Sequence, residues 1–335
     1  MIKCTPIVLK SNTTRPNFCL EVWGTDYNKI KDTCILAEKL GYDGFFYGES
    51  LADIDLDCWT ILSNLSAVTD KIKLGPVITY LFPQYRSIVL LAKQAVTLQE
   101  ISNGRLEFRT GAGATPRWSL QWWHPYGIKY PSNAERVRIL EEGILLLHRL
   151  WKSSGSDSGS NDNEPSVYFT GKYFKLSGAS LNRPNKTIPI TIAAKKRKTM
   201  QIAARYTDVW ESSYITPEQF VSLNKKLEDI IKSEQSNNNN NNNNTDRKTI
   251  KKSVELDVII ADTDSDLEYK KRTFAMERGP GVAHQMLKHG LVGTADKIGE
   301  RLREYIDAGI DQFFLAFQDP FDPRALESFS DAFIK

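Results

Sequence analysis

The small residues Gly111-Ala-Gly-Ala114 are the first place in this sequence where residue type suggests chemistry. They follow a short apolar segment, so they are expected at the carboxyl end of a strand. Backbone N–H groups can approach a ligand closely there, because no large side chain intervenes. We therefore expect a cofactor to bind at Gly111, Ala112 and Gly113.

The acidic and hydroxyl side chains of Glu49 and Ser50 come directly after the predicted strand at residues 43–47. Enzymes with a barrel fold place functional groups at the carboxyl ends of strands. Glu49 and Ser50 are therefore the candidate catalytic residues. For Glu49, a role near the reactive face of a cofactor and a structural hydrogen bond both remain open.

An aromatic segment follows at residues 116–126. It is too long for an ordinary connection, and we interpret it as a lid or a pocket wall. Arg117 could reach a cofactor side chain or could be an exposed surface residue. Aromatic side chains could line an apolar substrate pocket or cover the flank of the fold, and the candidates for the pocket are Trp118, Trp122, Trp123 and His124.

Strand and helix patterns alternate along most of the chain. Residues 74–79 form a β-branched apolar run, residues 87–101 repeat apolar side chains at helical spacing, and a second strand is expected from Arg105. Such a unit places its two strands parallel. About eight strands alternate with helices in this way, which predicts a closed (β/α)8 barrel, a TIM barrel, as a single domain over residues 1–335.

Two regions interrupt the alternation. Residues 115–180 are predicted to form an insertion, with a small β-hairpin at residues 167–175 around Gly171-Lys172. Residues 236–246 contain an uninterrupted run of asparagines, which cannot bury apolar surface. We expect a disordered loop there.

Composition narrows the class of protein. The chain has 335 residues, a net charge of +3 and 41% hydrophobic residues, which suits a large enzyme domain and gives no argument for nucleic-acid binding. Its four cysteines make no C-x-x-C spacing, and no histidine cluster ends a strand, so neither a metal nor a disulfide framework is expected. Without a signal peptide or a membrane span, we expect a cytoplasmic protein.

Several segments together resemble the luciferase-like monooxygenase family, which includes bacterial luciferase, FMN-dependent monooxygenases and oxidoreductases that depend on the deazaflavin coenzyme F420. The segments that carry this resemblance are residues 36–46, 71–75, 92–98, 101–105, 111–113, 135–138, 203–208, 291–294 and 308–311. The resemblance implies a TIM barrel with an insertion region. It also implies a homodimer and a small organic molecule as substrate.

The family resemblance also implies positions for the cofactor. The ring would lie across the carboxyl ends of the second, third and fourth strands, against Pro76, Val77 and Thr79 as well as the small residues at 111–113. Several F420-dependent members have a cis peptide bond at the end of the third strand, and the corresponding bond here would be Pro76–Val77. The phosphate would bind after the fifth strand, at Ala193, Ala194, Lys195, Lys196, Arg197 and Lys198.

This chain departs from the family pattern in the phosphate turn and at the proton-transfer residues. The glycine usual in the phosphate turn is missing, while cations have been added that could hold a phosphate by direct charge, and a solvated basic turn is the alternative. The proton-transfer residues of F420-dependent sugar-phosphate dehydrogenases are replaced by Glu49-Ser50 and Ala114. We therefore expect an F420-dependent or flavin-dependent oxidoreductase, with F420 preferred. An FMN-dependent monooxygenase that uses O2 and a non-catalytic cofactor-binding protein remain alternatives.

Overall fold

The structure is a computed structural model and describes residues 15–152, 166–239 and 249–335. Its strands are β1 (Asn17–Val22), β2 (Gly44–Gly48), β3 (Lys73–Val77), β4 (Phe108–Gly111), β5 (Val167–Thr170), β6 (Lys175–Ala179), β7 (Ile190–Ala193), β8 (Val209–Ser213), β9 (Lys251–Ile260), β10 (Leu291–Gly293) and β11 (Gln312–Phe317).

The helices are α1 (Tyr27–Leu40), α2 (Cys58–Val68), α3 (Ile88–Ile101), α4 (Pro116–Ser119), α5 (Asn133–Trp151), α6 (Arg197–Tyr206), α7 (Pro217–Asn239), α8 (Asp264–Arg278), α9 (Pro280–His289), α10 (Ala295–Asp307) and α11 (Pro323–Phe333), with 3-10 turns at Leu120–Trp122 and His124–Tyr126. Several begin at a capping side chain, as at Asp26, Ser87 and Ser132, which accept hydrogen bonds from the backbone of the first turn.

The barrel predicted from the sequence is confirmed. Parallel strands follow one another in the order β3-β2-β1-β11-β9-β8-β7-β4, and β10 adds to β9. Backbone hydrogen bonds then join β4 to β3, from Glu107 N to Leu74 O at 2.9 Å and from Thr79 N to Arg109 O at 2.9 Å. The carboxyl ends of all these strands therefore face one rim, which we call the barrel mouth.

Strand β4 begins at Phe108, later than the predicted start at Arg105. The guanidinium of Arg105 donates instead to the carbonyl oxygens of Ser66 at 2.7 Å, Thr69 at 2.9 Å and Ile72 at 3.0 Å. Arg105 therefore ties the end of α2 to the start of β3, and it does so from the amino-terminal side of the barrel.

The interruptions are only partly described. Strands β5 and β6 pair antiparallel in a sheet separate from the barrel, as predicted for a hairpin in the insertion. Residues 153–165 of the insertion lie outside the described residues. Helix α7 continues through Asn239, so the first residues of the predicted disordered loop at 236–246 are helical, and residues 240–248 lie outside the described part.

The barrel interior is unusually polar. TIM barrels commonly fill this space with branched apolar side chains. Here Cys19, Phe46 and Phe314 form an apolar layer, with the Phe46 and Phe314 rings edge to face at 4.8 Å. Charged side chains lie on both sides of it, Glu107 toward the amino-terminal end and Arg109 toward the barrel mouth. The fold therefore buries ionisable groups along the barrel axis, and Arg109 is the one on the side of the barrel mouth.

Candidate active site at the barrel mouth

The small residues after β4 and the basic residues after β7 lie side by side at the barrel mouth. Strands β4 and β7 are neighbours, and Gly111 pairs directly with Ala193. Strands β2 and β3 end at the same rim, with Gly48 opposite Val77. The segments that the sequence assigned to cofactor binding therefore share one rim.

Close packing explains why the residues after β4 must be small. A Cβ atom added to Gly111 would lie 3.1 Å from Ile78 Cδ1 and 3.3 Å from Ala193 Cβ. Gly113 has φ +83°, and a Cβ atom there would lie 2.5 Å from the hydroxyl of Tyr130. Larger residues would therefore push the rim apart or distort its backbone.

The backbone of this rim is held from behind by α5. Arg136 Nε donates to Ala112 O at 2.9 Å and Arg136 Nη1 donates to Pro131 O at 2.9 Å. The Tyr130 hydroxyl donates to Ala114 O at 2.7 Å, and the Arg136 guanidinium lies 4.6 Å from the Tyr130 ring centre. The carbonyl oxygens of the rim are thereby occupied from outside the mouth, which fixes its conformation.

Lys195, Lys196, Arg197 and Lys198, which we call the basic turn, open helix α6. All four residues are exposed. At the start of α6, Thr199 Oγ1 accepts a hydrogen bond from Lys196 N at 3.3 Å, while the Lys196 side chain makes no capping hydrogen bond. Lys195 Nζ donates to Ser213 O at 2.8 Å, at the end of β8. Burial of its amine lowers the pKa of Lys195, despite the opposing attraction of Glu255 and Glu211. The basic turn joins positive charge to a helix N-terminus, and both favour an anion.

The end of β3 contains a cis peptide bond, one position later than predicted. It joins Val77 to Ile78, so the expectation of a cis Pro76–Val77 bond was wrong. Pro76 lies within β3, opposite Tyr47 of β2, and Val77 packs against the apolar layer of the barrel interior. Thr79 is buried, and its hydroxyl donates to Glu49 Oε2 at 2.5 Å.

Glu49 lies in a closed ion pair with Arg86, which we call the Glu49 pair. Arg86 Nη2 lies 2.6 Å from Glu49 Oε1, and the Trp59 indole donates to Glu49 Oε2 at 3.3 Å. Burial raises the pKa of Glu49, against the opposing effect of Arg86 and of the hydrogen bond from Thr79. Of the two interpretations left open for Glu49, these contacts favour the structural one.

Ser50 points to a neighbouring carboxylate. Its hydroxyl donates to Asp55 Oδ1 at 3.0 Å and accepts from Ala52 N at 3.1 Å. Burial raises the pKa of Asp55 to about 6. Both hydrogen bonds hold the loop after β2. The two candidate catalytic residues therefore have different partners, Arg86 for Glu49 and Asp55 for Ser50.

The aromatic segment does not present all its rings to the mouth. Trp123 is 1% exposed and packs edge to face against Tyr80 at 4.9 Å and Tyr85 at 4.9 Å. Its role is in packing, which corrects the expectation that it lines a substrate pocket. Trp122 is half-buried, whereas His124 and Arg117 are exposed; the side chain of Trp118 lies outside the described part of the chain.

The barrel interior below the mouth contains one guanidinium surrounded by three carboxylates, which we call the Arg109 cluster. Arg109 is fully buried and contacts Glu21 of β1 through Nη1 and Glu211 of β8 through Nε. Its Nη2 donates to Glu211 Oε1 at 2.9 Å and to Glu255 Oε2 of β9 at 2.8 Å. The Phe314 ring centre lies 4.0 Å from the guanidinium carbon.

The carboxylates of the Arg109 cluster are not equivalent. Contact with Arg109, assisted by hydrogen bonds from Ser213 and Glu255, lowers the pKa of Glu211 although burial opposes this. Burial raises the pKa of Glu21 well above its usual range, and burial also raises the pKa of Glu255. Arg109 therefore stabilises the charged form of Glu211, while burial disfavours the charged forms of Glu21 and Glu255.

The sequence analysis missed the acidic members of this cluster. Their signal was present, because Glu21 interrupts an apolar part of β1, Glu255 lies between the buried Val254 and Leu256 of β9, and Glu211 follows two buried apolar residues of β8. An acidic side chain in a buried strand requires a partner. That requirement could have identified the acids, but it could not have shown that all three meet at Arg109.

The sequence also matches a known family. Residues 9–281 match the family model of the luciferase-like monooxygenases. The chain belongs to this family. The resemblance inferred from scattered segments is thereby confirmed, and this luciferase-like protein is a member of a family of enzymes.

Among curated relatives of this luciferase-like protein, pyrimidine monooxygenase RutA of Bradyrhizobium sp. is 28% identical over 199 residues, covering 56% of this chain and 49% of the relative. A 5,10-methylenetetrahydromethanopterin reductase of Archaeoglobus fulgidus is 29% identical over 182 residues, covering 54% and 48%. The chain therefore spans about half the length of the curated relatives it matches.

A solved structure supports the fold over nearly the whole chain. An F420-dependent secondary alcohol dehydrogenase in complex with an F420-acetone adduct superposes with a TM-score of 0.76 at 16% identity, covering 95% of this chain and 98% of that one. Within the residues that the structure describes, no helix is both long and apolar enough to cross a membrane.

Proposed function

We propose that this luciferase-like protein is an oxidoreductase that transfers hydride between F420 and a small organic substrate. The observation that carries the proposal is the direct neighbourhood of Gly111 and Ala193, which joins a rim of small residues to the basic turn. A ring could lie against the first while an anionic group binds to the second. The curated relatives named above are a monooxygenase and a reductase. Family membership therefore supports the class of reaction, whereas F420 as the cofactor is part of our proposal.

The residues present fit a cofactor with an anionic tail. The rim at Gly111 would be filled by a single added Cβ, and the N-cap residue of α6, Lys196, offers its first turn no acceptor side chain that would compete with an anion. Lys196, Arg197 and Lys198 are exposed and would hold a phosphate, and further negative charge on the cofactor would be stabilised by the remaining cations. This surplus of positive charge favours F420, whose tail carries carboxylates, over FMN.

The chemistry of hydride transfer belongs to the ring of the bound cofactor. The chain itself has three tasks at the mouth. The basic turn binds the anionic tail, and the rim fixed by Arg136 and Tyr130 orients the ring. The aromatic segment, anchored by the buried Trp123, covers the side of the mouth and excludes water.

Titration of the purified protein with F420 and with FMN, each oxidised and reduced, tests the proposal. F420 is expected to bind more tightly than FMN. The variant Lys196→Ala/Lys198→Ala should weaken F420 binding by about 100-fold or more, because each of the two lost charge-assisted hydrogen bonds contributes about 1.5–3 kcal/mol.

A matched control is available on α7. Lys225 and Lys226 are exposed lysines away from the mouth, and Lys225→Ala/Lys226→Ala removes the same charge. It should leave F420 affinity within about twofold of the wild type. Equal losses in the two variants would show that only net charge matters and would overturn the assignment of the basic turn.

The same titrations, followed by assays for turnover, distinguish two alternative functions. Tight binding of FMN alone, with oxygen consumed in the presence of substrate, would establish an FMN-dependent monooxygenase. Binding of either cofactor without turnover of any substrate would support a non-catalytic cofactor-binding protein. The closed Glu49 pair gives this last alternative its support, because it removes the first candidate for proton transfer.

A further inference from the structure

Hydride transfer to an organic substrate also requires a proton, and the residues first considered for that role are engaged elsewhere. Glu49 is paired with Arg86, and Ser50 is bonded to Asp55. A proton donor must face the mouth, carry a proton at neutral pH and have a route for its replacement. These three requirements can be applied to every carboxyl group of the described barrel interior.

We propose that Glu255 is the proton donor of the barrel mouth and that it holds its proton in the ligand-free protein. The donor role rests on the proposed oxidoreductase function, whereas the presence of the proton does not. Glu255 lies on β9, whose strand partner β11 contributes Phe314 directly opposite it. The carboxyl group thus lies among interior side chains, next to Arg109.

Exposure singles out Glu255 within the Arg109 cluster. Its side chain is 12% exposed, whereas those of Glu21 and Glu211 are 0% and 1% exposed. Glu255 is therefore the member that can meet a ligand in the mouth. The other two carboxyl groups lie deeper and can act only through it.

Charge balance explains why Glu255 carries a proton. Among the described residues, the Arg109 cluster sets three carboxyl groups against one guanidinium. Full ionisation would bury two uncompensated negative charges, which costs several kcal/mol per charge. Glu211 contacts Arg109 through Nε and Nη2, whereas Glu255 contacts it through Nη2 alone, so Glu211 is the better partner of the guanidinium.

The groups around Glu255 come from several elements and favour different forms. Arg109 of β4 and Lys195 of the basic turn stabilise the carboxylate, while Glu211 of β8 and Asp257 of β9 oppose it. Ser213 of β8 pairs with Glu255, and Tyr214 N donates to the backbone oxygen of Glu255 at 3.0 Å. The further titratable neighbours are Glu21 and Tyr80. Because cations face it on one side, Glu255 can also exist as a carboxylate after it gives up its proton.

Asp257 supplies the route for replacement. It lies two residues further along β9, so it is on the same face of the strand as Glu255 and nearer to the mouth. Burial raises the pKa of Asp257 to about 7. A carboxyl group with that pKa exchanges protons readily with water at neutral pH, so it can return a proton to Glu255.

The step balances as follows. The O–H bond of Glu255 breaks, and a new O–H or N–H bond forms on the substrate, whose C=O or C=N carbon accepts hydride from the reduced cofactor. The hydride carries both electrons, so with the proton the substrate gains two electrons and two hydrogens in all, and the cofactor, when bound, would be oxidised by loss of that hydride. Glu255 is left as a carboxylate beside Arg109 and Lys195 until Asp257 returns a proton.

Infrared spectroscopy of the ligand-free protein, with 13C-labelled glutamate carboxyl groups, tests the proton directly. At neutral pH the wild type should show a carboxylic-acid C=O band, and Glu255→Gln should remove one component of it. The matched control Glu277→Gln changes an exposed glutamate of α8 and should leave that band unchanged. An unchanged band in Glu255→Gln would overturn the proposal.

Single-turnover oxidation of bound, reduced F420 by substrate tests the donor role. Glu255→Gln should slow hydride transfer by about 100-fold and abolish its decline with rising pH, while F420 affinity stays within about twofold. A rate equal to that of the wild type would overturn the donor role. Should Glu255→Gln fail to fold, Glu255→Asp keeps the acid but shortens the side chain by one methylene. It should replace the labelled component of the band by an unlabelled carboxylic-acid band and should slow hydride transfer.

Failure of the proposed function can be told apart from failure of the proton assignment to Glu255. If neither F420 nor FMN binds, the proposed function fails and the donor role fails with it. The infrared measurement on the ligand-free protein still decides whether Glu255 holds a proton. Loss of the band together with slow, pH-independent transfer would establish both parts of the proposal.

Discussion

Two buried ion clusters of this molecule, the Glu49 pair and the Arg109 cluster, differ in their charge balance. The Glu49 pair matches one carboxylate with one guanidinium, and Thr79 and Trp59 donate further hydrogen bonds to the same carboxylate. The Arg109 cluster, as far as the described residues show, surrounds one guanidinium with three carboxyl groups. The first cluster is neutral when fully ionised, and the second is not.

This difference separates a structural contact from a chemical one. A neutral buried pair gains little from binding or releasing a proton, because either change leaves an uncompensated charge. A cluster with surplus acid must hold protons at neutral pH, and it can release them when its surroundings change. The Glu49 pair therefore stabilises the loops after β2 and β3, while the Arg109 cluster stores protons under the mouth.

Removal of Arg109 should have the largest effect. Arg109→Met leaves three carboxyl groups buried without their guanidinium, and we expect a loss of about 4 kcal/mol or more in the free energy of unfolding at pH 7. The loss should shrink toward pH 5, because protonation removes the charges that lack a partner. Denaturant unfolding at both pH values measures it. Arg303→Met, at an exposed position of α10, is the control and should change stability by less than about 0.5 kcal/mol.

A variant that folds at neutral pH with unchanged stability would contradict the assignment of Arg109 as the centre of the cluster. Arg109→Lys provides a second measurement if the Met variant does not fold. It keeps the charge but lacks the planar guanidinium group that reaches three partners. Its free energy of unfolding should therefore lie between those of the wild type and Arg109→Met.

Neutralising Glu49 should have the next largest effect. Glu49→Gln keeps the shape of the side chain but leaves the buried Arg86 cation without its carboxylate, and we expect a loss of about 3 kcal/mol. Glu49→Leu/Arg86→Met removes both charges and should be less destabilising than Glu49→Gln. Denaturant unfolding of both variants, with the exposed Glu327→Gln as control, measures the difference. If Glu49→Leu/Arg86→Met were less stable than Glu49→Gln, Glu49 would not be the carboxylate that compensates the buried charge of Arg86.

Asp257 should give a smaller, pH-dependent effect. Its pKa is about 7 in the folded protein against an ordinary value of 3.8, so the folded state binds a proton that the unfolded state has already released between these pH values. Stability should therefore fall as pH rises from about 4 to about 7, by about 2 kcal/mol after allowance for partial exposure.

Asp257→Asn should flatten this decline and make the protein more stable than the wild type above pH 7. Thermal unfolding followed across this pH range measures both effects. Asp229→Asn, at an exposed position of α7, should leave the wild-type decline intact. A decline that persists in Asp257→Asn would assign the titration to another group.

Neutralising Glu255 should have the smallest effect on stability. A glutamine amide oxygen can still accept from Arg109, so the hydrogen bond that Glu255 makes with the guanidinium is retained. We expect Glu255→Gln to change the free energy of unfolding by less than about 1 kcal/mol at pH 7, well below the loss in Glu49→Gln. Chemical denaturation measures both side by side. Equal losses would show that Glu255 is ionised and would remove the contrast between the two clusters.

Much of the fold could be predicted because its signals are local. The strand patterns, the helix caps at Asp26 and Ser132, and the alternation of strands and helices need only neighbouring residues to be recognised. The same holds for the small residues after β4, whose role at a strand end follows from residue type. The start of β4 was misplaced, because Arg105 bonds to carbonyl oxygens that are distant in sequence.

The candidate site was less predictable, because its contacts join strands far apart in the sequence. Glu49 was recognised at the end of β2, but its pairing with Arg86 depends on how the loop after β3 returns to the mouth. Trp123 was expected at a pocket because its neighbours are aromatic, yet it is buried against Tyr80 and Tyr85 from that same loop. The position of the cis bond, at Val77–Ile78, was likewise decided by the tertiary fold.

The sequence alone determined that the chain alternates strands and helices, that small residues end β4 and that cations open α6, because propensity and charge are properties of each residue in turn. Tertiary structure alone decided that Glu21, Glu211 and Glu255 meet at Arg109. Barrel closure brings β1, β8 and β9 around β4, and the interior excludes the water that would otherwise keep every carboxylate ionised.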